Sequence, residues 1–353
     1  MNNKNNLIED DIRELILDFV EKIDELRNKT IFVTGSTGLL GTYFVNTIMG
    51  FNKLLNTNIK IIAQVRNIEK ARIHFDSFVD DNNFSLYENN ILNKIELVDD
   101  IHYVIHLACP TSSSYFVSNP VETIDAILFG TKNVLELAKA KDVKSFVFSS
   151  SLEVYGITNK RRISESDYGY IDQLNARSSY SMGKRMAECM CYSYYKECNV
   201  PIKIARLTQT FGPGVKYDDR RVFAEFARCA IEKKDIVLHT DGSTVRSYLY
   251  LKDAVSALLY ILLFGEVGEA YNVSNPNIEI SIKDMANLVC DLYPDSNIKV
   301  VIDIPDNVEV FGYNPTMISV LDSSKICKLG WEATVDLETM FINLIDSMKE
   351  NDR

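Results

Sequence analysis

The sequence predicts a doubly wound α/β fold, in which a parallel sheet carries helices on both faces and a smaller α/β unit is attached. Three observations carry the prediction. From Thr30 onward short β-branched runs alternate with helical patterns, and a glycine-rich turn follows the first of those runs. The chain has 353 residues with 46% apolar and 25% charged side chains, enough for two domains or for one large α/β unit with an appendage.

Residues 7–27 place Ile12, Leu15, Ile16, Phe19, Val20, Ile23 and Leu26 at helical spacing with carboxylates between them. They predict an amphipathic helix occupying the segment 1–28, packed on its own domain or used as a dimer contact. Strands are expected at 30–34, 59–65, 103–107, 145–149 and 202–207, with helices at 39–50, 121–140, 180–198 and 222–234. Farther on, strands near 236–239 and 298–302 and helices near 252–264 and 281–292 complete the pattern. The expected division assigns 29–206 to the sheet domain with 236–264 returning to it, and 207–235 with 265–353 to the smaller, interleaved unit.

Charge and composition narrow the partner. With 38 basic against 49 acidic residues the net charge is −11, which argues against binding nucleic acid or anionic lipid. The longest apolar run, 254–264, falls short of the ~20 residues that cross a bilayer, and the first residues do not resemble a secretory leader. A cytoplasmic protein with a small-molecule partner is expected. The seven cysteines, at 109, 189, 191, 198, 229, 290 and 327, have no paired ligand spacing, so reduced thiols and no metal site are expected.

Thr34-Gly35-Ser36-Thr37-Gly38-Leu39-Leu40-Gly41 joins the first strand to a helix. The three glycines allow a tight turn, close approach of backbone to a pyrophosphate, and close helix–strand packing, with the phosphate on the helix N-terminus. A dinucleotide-binding domain of the Rossmann type follows. The second strand ends Ala63-Gln64-Val65-Arg66-Asn67 with no carboxylate for the adenosine ribose. The cofactor is therefore NAD or NADP, tightly bound, leaning to NADP if Arg66 pairs with a 2′-phosphate; Arg66 stacking on adenine or facing solvent stays open. Asn90 and Ile91, and the strand-end residues Leu107 and Ala108, complete the expected cofactor contacts.

Tyr180-Ser-Met-Gly-Lys184 sets a phenol and an ammonium at i and i+4 on one helix face. A nearby cation favours phenolate, which suits Tyr180 to exchange a proton with a substrate hydroxyl while hydride moves to nicotinamide. Upstream, Phe148-Ser-Ser-Ser-Leu-Glu-Val-Tyr-Gly156 offers the Ser151 hydroxyl at a strand end.

With these motifs in order, TGSTGLLG, HLACP, GTKNVLELAK, SSSLEVYG, YSMGK and RLTQTFGPG, the chain resembles the extended short-chain dehydrogenase/reductases of the nucleotide-sugar epimerase, dehydratase and decarboxylase branch. Its likeness is greatest to the UDP-glucuronate decarboxylases, through HLACP, NPVETI, Arg177 and GKRMAE. The resemblance implies that Ser151, Tyr180 and Lys184 form the catalytic triad and that Lys184 also holds the nicotinamide ribose. It implies a catalytic-site glutamate in Glu153, a pyrophosphate grip by Arg246 assisted by Arg221, and a homodimer through helices 121–140 and 180–198. Gln209 and Ile127 stand where the branch has asparagines, and Leu152 where a two-acid dehydratase has an aspartate. Arg177, three residues before Tyr180, is the candidate partner for a substrate carboxylate; a structural role remains its alternative, as capping or ion pairing does for Glu153.

The implied reaction starts with oxidation of the sugar C4 hydroxyl. Decarboxylation of a uronic acid is the leading outcome, 4-epimerisation the runner-up, single-glutamate 4,6-dehydration next, and a non-catalytic NAD(P)-binding sensor the alternative of another class.

Overall fold

The computed structural model describes residues 3–305 and 317–351. The chain opens with α1 (Asn3–Phe19) and a 3-10 turn at Ile23–Leu26. Then follow β1 (Thr30–Thr34), α2 (Leu39–Leu55), β2 (Lys60–Val65), α3 (Ile68–His74), β3 (Phe84–Glu88) and β4 (Tyr103–His106). Next come α4 (Ser113–Ser118), α5 (Pro120–Ala140), β5 (Ser145–Ser151), β6 (Arg162–Ile163), α6 (Ser178–Cys198), β7 (Ile202–Leu207) and β8 (Gln209–Phe211). The remainder is α7 (Val222–Glu232), β9 (Ile236–Leu238), β10 (Val245–Arg246), β11 (Tyr248–Tyr250), α8 (Leu251–Phe264), β12 (Ala270–Val273), β13 (Ile280–Ser281) and α9 (Ile282–Leu292). It ends with β14 (Val300–Ile302), β15 (Ile318–Leu321), α10 (Ser324–Cys327) and α11 (Leu337–Asn351).

Seven parallel strands in the order β12-β7-β5-β4-β1-β2-β3 form the central sheet. Alternation within a strand divides its core between two faces: Ile31 and Val33 pack with α1, α2 and α8, whereas Phe32 packs toward α5 and α6. The strands are apolar on both sides because helices cover both. This is the Rossmann-type α/β fold that the alternation predicts.

A second core joins α7, α9 and α11 to β8, β9 and β11. Around it lie a four-stranded sheet in the order β13-β10-β15-β6 and two short strand pairs, β11 with β8 and β14 with β9.

The structure departs from the expected layout at three places. The N-terminal helix stops at Phe19, and a separate turn delivers Ile23 and Leu26 to the core, which leaves Val20 half exposed. β12 falls in the stretch expected to belong to the smaller unit, yet it hydrogen-bonds along β7 as the edge of the central sheet. Conversely, β9 falls in the stretch 236–264 expected to return to the sheet domain, and it pairs with β14 in the smaller one. Parts of the expected segments 1–28 and 265–353, namely 1–2, 306–316 and 352–353, lie outside the described residues. Among the described residues no helix is long and apolar enough to cross a membrane.

Candidate active site

β1 and β4 are neighbours, and the chain leaves them toward opposite sides of the sheet, so a crevice opens beyond their carboxyl ends. The glycine turn lies at that crevice. Gly35 has φ +66°, and a Cβ there would lie 2.7 Å from the Ala108 amide nitrogen. A Cβ on Gly41 would come within 2.8 Å of the Ser36 Cα. Both positions therefore exclude any side chain. Gly38 is the N-cap of α2 and supplies no side-chain cap, which leaves first-turn N–H groups for an anion. Ser36 turns inward and donates to the Gln64 carbonyl at 2.8 Å, Thr37 is exposed, and Leu39 and Leu40 are half-buried. This cradle fits a dinucleotide pyrophosphate.

The turn is braced by its own first residue and by the end of β4. Thr34 Oγ1 receives the N–H groups of Leu107 and Ala108 at 3.2 and 3.1 Å. Its own proton then goes to His106 Nδ1, 2.7 Å away, leaving His106 Nε2 to donate to Thr131 at 3.1 Å. Burial, with Lys184 nearby, lowers His106 to about 3, so the ring is neutral as this network needs.

At the adenosine end Arg66 is exposed at the tip of β2. A carboxylate does stand beside it, from the neighbouring strand: Glu88 pairs with Val65 in register and accepts the Ile68 N–H at 2.9 Å. Asn90 uses its side-chain oxygen on the Leu92 N–H at 3.1 Å, and buried Ile91 accepts from Asn133 through its carbonyl at 2.9 Å.

β5 ends at Ser151, where a 3-10 turn, Leu152–Tyr155, begins. Tyr180 and Lys184 reach the same place from α6, both buried. The Tyr180 ring stacks on Phe116 of α4 with centroids 4.3 Å apart and planes 9° from parallel. Its hydroxyl lies beside Ser151 and is influenced by it. Burial pushes the phenol well above its ordinary value, the charge of Glu153 adds to this, and Ser151 and Arg177 oppose it. The expected phenolate-favouring cation is thus outweighed here. Lys184 Nζ donates to the Ser149 carbonyl at 2.6 Å and lies 4.6 Å from the centroid of Phe148 but 6.0 Å from that of Tyr180. Cys109, also at this end of the crevice, has its thiol pushed up by burial, partly offset by Lys184.

Glu153 and Arg177 are brought together rather than kept apart for separate roles. Arg177 Nη1 donates to Glu153 Oε2 at 3.0 Å and Nη2 to Oε1 at 2.9 Å. Behind them is a buried network no spacing announces: Arg206 of β7 donates to Glu188 of α6 at 2.7 Å and to the Tyr155 hydroxyl at 2.9 Å, and Tyr155 donates to Asn272 of β12.

On the side of the smaller unit, Gln209 Oε1, Arg246 Nε and the Tyr248 hydroxyl are buried without a hydrogen-bond partner among the described residues. Unpaired buried polar atoms are costly, and a bound polar ligand would supply what they lack. Arg221 is engaged: it forms a two-point pair with Asp219, with contacts of 3.0 and 2.6 Å, and lies over the Phe223 ring.

Residues 31–274 match the NAD dependent epimerase/dehydratase family. The chain belongs to it. The family's NAD-linked chemistry makes this protein an enzyme of nucleotide-sugar modification. Among curated relatives, UDP-glucuronic acid decarboxylase 6 of Arabidopsis thaliana is 30% identical over 311 residues, 88% of this chain and 86% of that protein. UDP-glucuronic acid decarboxylase 1 of Danio rerio is 29% identical over 336 residues, 93% and 76% of the two chains. The fold is also that of UDP-glucuronic acid 4-epimerase from Bacillus cereus, solved with UDP-glucuronic acid and NAD: TM-score 0.76, 21% identity, 91% of this chain and 99% of that one.

Proposed function

We propose that the enzyme removes the C6 carboxylate of a nucleotide uronic acid, UDP-glucuronate being the best candidate, after transient oxidation at C4. The observation that carries this reading is the convergence of Ser151, Tyr180 and Lys184 with one carboxylate, Glu153, at the end of β5, in a chain whose sequence relatives are decarboxylases. In this reading Tyr180, beside Ser151, is the acid/base group that exchanges a proton with the C4 hydroxyl, acting as base only after its own proton has been passed on. A nicotinamide cofactor held at the Gly35–Gly41 turn and by Lys184 would supply the hydride acceptor for C4 and the donor for its return. The C4 ketone turns the uronic acid into a β-keto acid, so the C5–C6 bond breaks with its electron pair moving toward the C4 oxygen and carbon dioxide leaves. Tyr180, which burial makes a strong holder of its proton, then donates a hydrogen bond to that oxygen where negative charge collects. A proton from water at C5, hydride return to C4 and return of the Tyr180 proton to the C4 oxygen give the pentose. Arg246 holds the substrate pyrophosphate with Gln209 beside it and Arg221 assisting, and Lys184 holds the cofactor ribose.

Two finer assignments go with this. Arg66 gives the adenosine site a grip on a 2′-phosphate, so NADP is accepted beside NAD. The exposed apolar residues Val121, Ile124 and Phe129 of α5 and Met186 and Tyr192 of α6 support a homodimer through these helices, in a cytoplasmic enzyme.

The test is incubation with UDP-glucuronate while carbon dioxide and the nucleotide product are followed by mass spectrometry. Loss of carbon dioxide with formation of a UDP-pentose is expected, and Tyr180→Phe should reduce it by at least roughly a hundredfold. Formation of the C4 epimer with the carboxylate retained would overturn the decarboxylase reading.

A further inference from the structure

We propose that Arg177 is a positioning residue whose partner is Glu153, and that it does not receive the substrate's carboxylate. This rests on the decarboxylase reading for the step concerned. Both outer nitrogens of the guanidinium are taken by the two oxygens of one carboxylate, at 3.0 and 2.9 Å. Such a two-point contact fixes the carboxylate's plane as well as its place. The pair is largely sheltered, with 20% of the Arg177 side chain and 25% of the Glu153 side chain exposed.

Each partner stands on a backbone that is itself held. The Glu153 N–H donates to Ser151 Oγ at 3.3 Å, and Arg185 clamps the next carbonyl, that of Val154, through Nε at 2.9 Å and Nη2 at 2.6 Å. Arg177 sits at the N-cap of α6, with its N–H on Asn175 Oδ1 at 3.0 Å, one turn before Tyr180. With the turn and the helix start fixed, the freedom left to Glu153 is in its own side-chain torsions. Arg177 removes that freedom. The carboxylate is thereby held near the phenol, whose proton affinity its charge raises and the Arg177 charge lowers.

A substrate carboxylate seeking the same guanidinium would have to displace Glu153 and leave two carboxylates side by side at one cation, which like-charge repulsion opposes. The arrangement assigns Arg177 to the orientation of Glu153 for the step that follows C4 oxidation.

The experiment is a double-mutant cycle with Arg177→Ala and Glu153→Gln, read as kcat, KM for UDP-glucuronate and the absorbance of reduced nicotinamide during turnover. Arg177→Ala should lower kcat by about tenfold or more, the scale of losing a fixed geometry, while KM changes by less than about threefold. Reduced nicotinamide should accumulate, as in Glu153→Gln, because oxidation still proceeds. The double variant should be no slower than Glu153→Gln alone. Arg177→Lys, which keeps the charge but not the fork, should recover part of kcat. Additive losses, or a KM rise of about tenfold with kcat retained, would overturn the proposal and give Arg177 to the substrate. If the wild type instead epimerises its substrate without releasing carbon dioxide, the decarboxylase reading fails by itself. The same cycle is then measured on that reaction, and additivity again decides the role of Arg177.

Discussion

Arg66 illustrates how far one residue is readable. Its place at the tip of β2 is fixed by the strand, and its guanidinium is exposed there, close enough for its charge to act on the Tyr115 phenol. The sequence correctly puts no carboxylate on β2, but Glu88 arrives from β3 through pairing across the sheet, which no local spacing reveals. Arg66→Ala should weaken NADP binding by roughly tenfold or more and NAD binding by much less, since only NADP carries the phosphate for a charge-assisted contact. Titration of each cofactor against the apo-protein checks this, and equal losses would leave Arg66 as a stacking or surface residue. Tyr180 and Lys184 were legible in the same way. Their i, i+4 spacing places them on one face, but the stacking of Phe116 and the burial that raises the phenol come from α4, a helix of six residues with no sequence signature of its own.

At the scale of elements, α1 is anchored through Asp11. This buried carboxylate is hydrogen-bonded to Tyr43 of α2 and Tyr250 of β11, and Tyr250 in turn accepts from Asn343 of α11 at 2.9 Å. Burial pushes Asp11 up to about 6, despite the tyrosine hydrogen bonds and Lys252. A carboxyl with a raised folded-state pKa favours folding most fully below its unfolded value, and that contribution is lost as pH rises from about 4 through about 6. Above that range the ionised group is a standing cost of up to about 3 kcal/mol. Asp11→Asn should therefore raise Tm at neutral pH and change it little near pH 4, as measured by thermal melts across that range. Helical spacing identified the apolar side of α1, but not the carboxylate on that side, because its partners lie tens to hundreds of residues away. β3 and β12 are not legible locally for a related reason: Phe-Ser-Leu-Tyr-Glu and Ala-Tyr-Asn-Val have few β-branched residues and become strands by completing an existing sheet.

For the whole molecule, the apolar residues left exposed on α5 and α6 set the expected assembly. A homodimer should sediment at a mass near twice that of the 40.2 kDa chain, and Phe129→Asp, placed on the exposed side of α5, should shift it toward a folded monomer, with Tm lowered only by the lost dimer contact. A wild-type protein that sediments as a monomer over a wide concentration range would refute this. The alternation of strands and helices and the glycine turn made the sheet domain legible because both are local. The division between the two units was less so, since the chain crosses between them repeatedly and only strand pairing tells which short segment belongs where.

That crossing has a consequence for biogenesis. β7 cannot acquire its outer neighbour until β12 has been synthesised, and 66 residues separate Leu207 from Val273. At ~5–20 residues per second, the ribosome leaves that strand edge bare for about 3–13 seconds. An unpaired apolar edge invites association with other nascent chains, and natural sequences blunt such edges with charge. β7 carries two cations, Lys203 and Arg206, within its six residues. Arg206 finds Glu188 on the already synthesised α6, whereas Lys203 waits for the Leu262 carbonyl of α8, to which it donates at 2.7 Å in the finished fold. Lys203 thus keeps a positive charge on β7 while its outer edge is bare, and α8 covers it as the Leu262 carbonyl receives the ammonium.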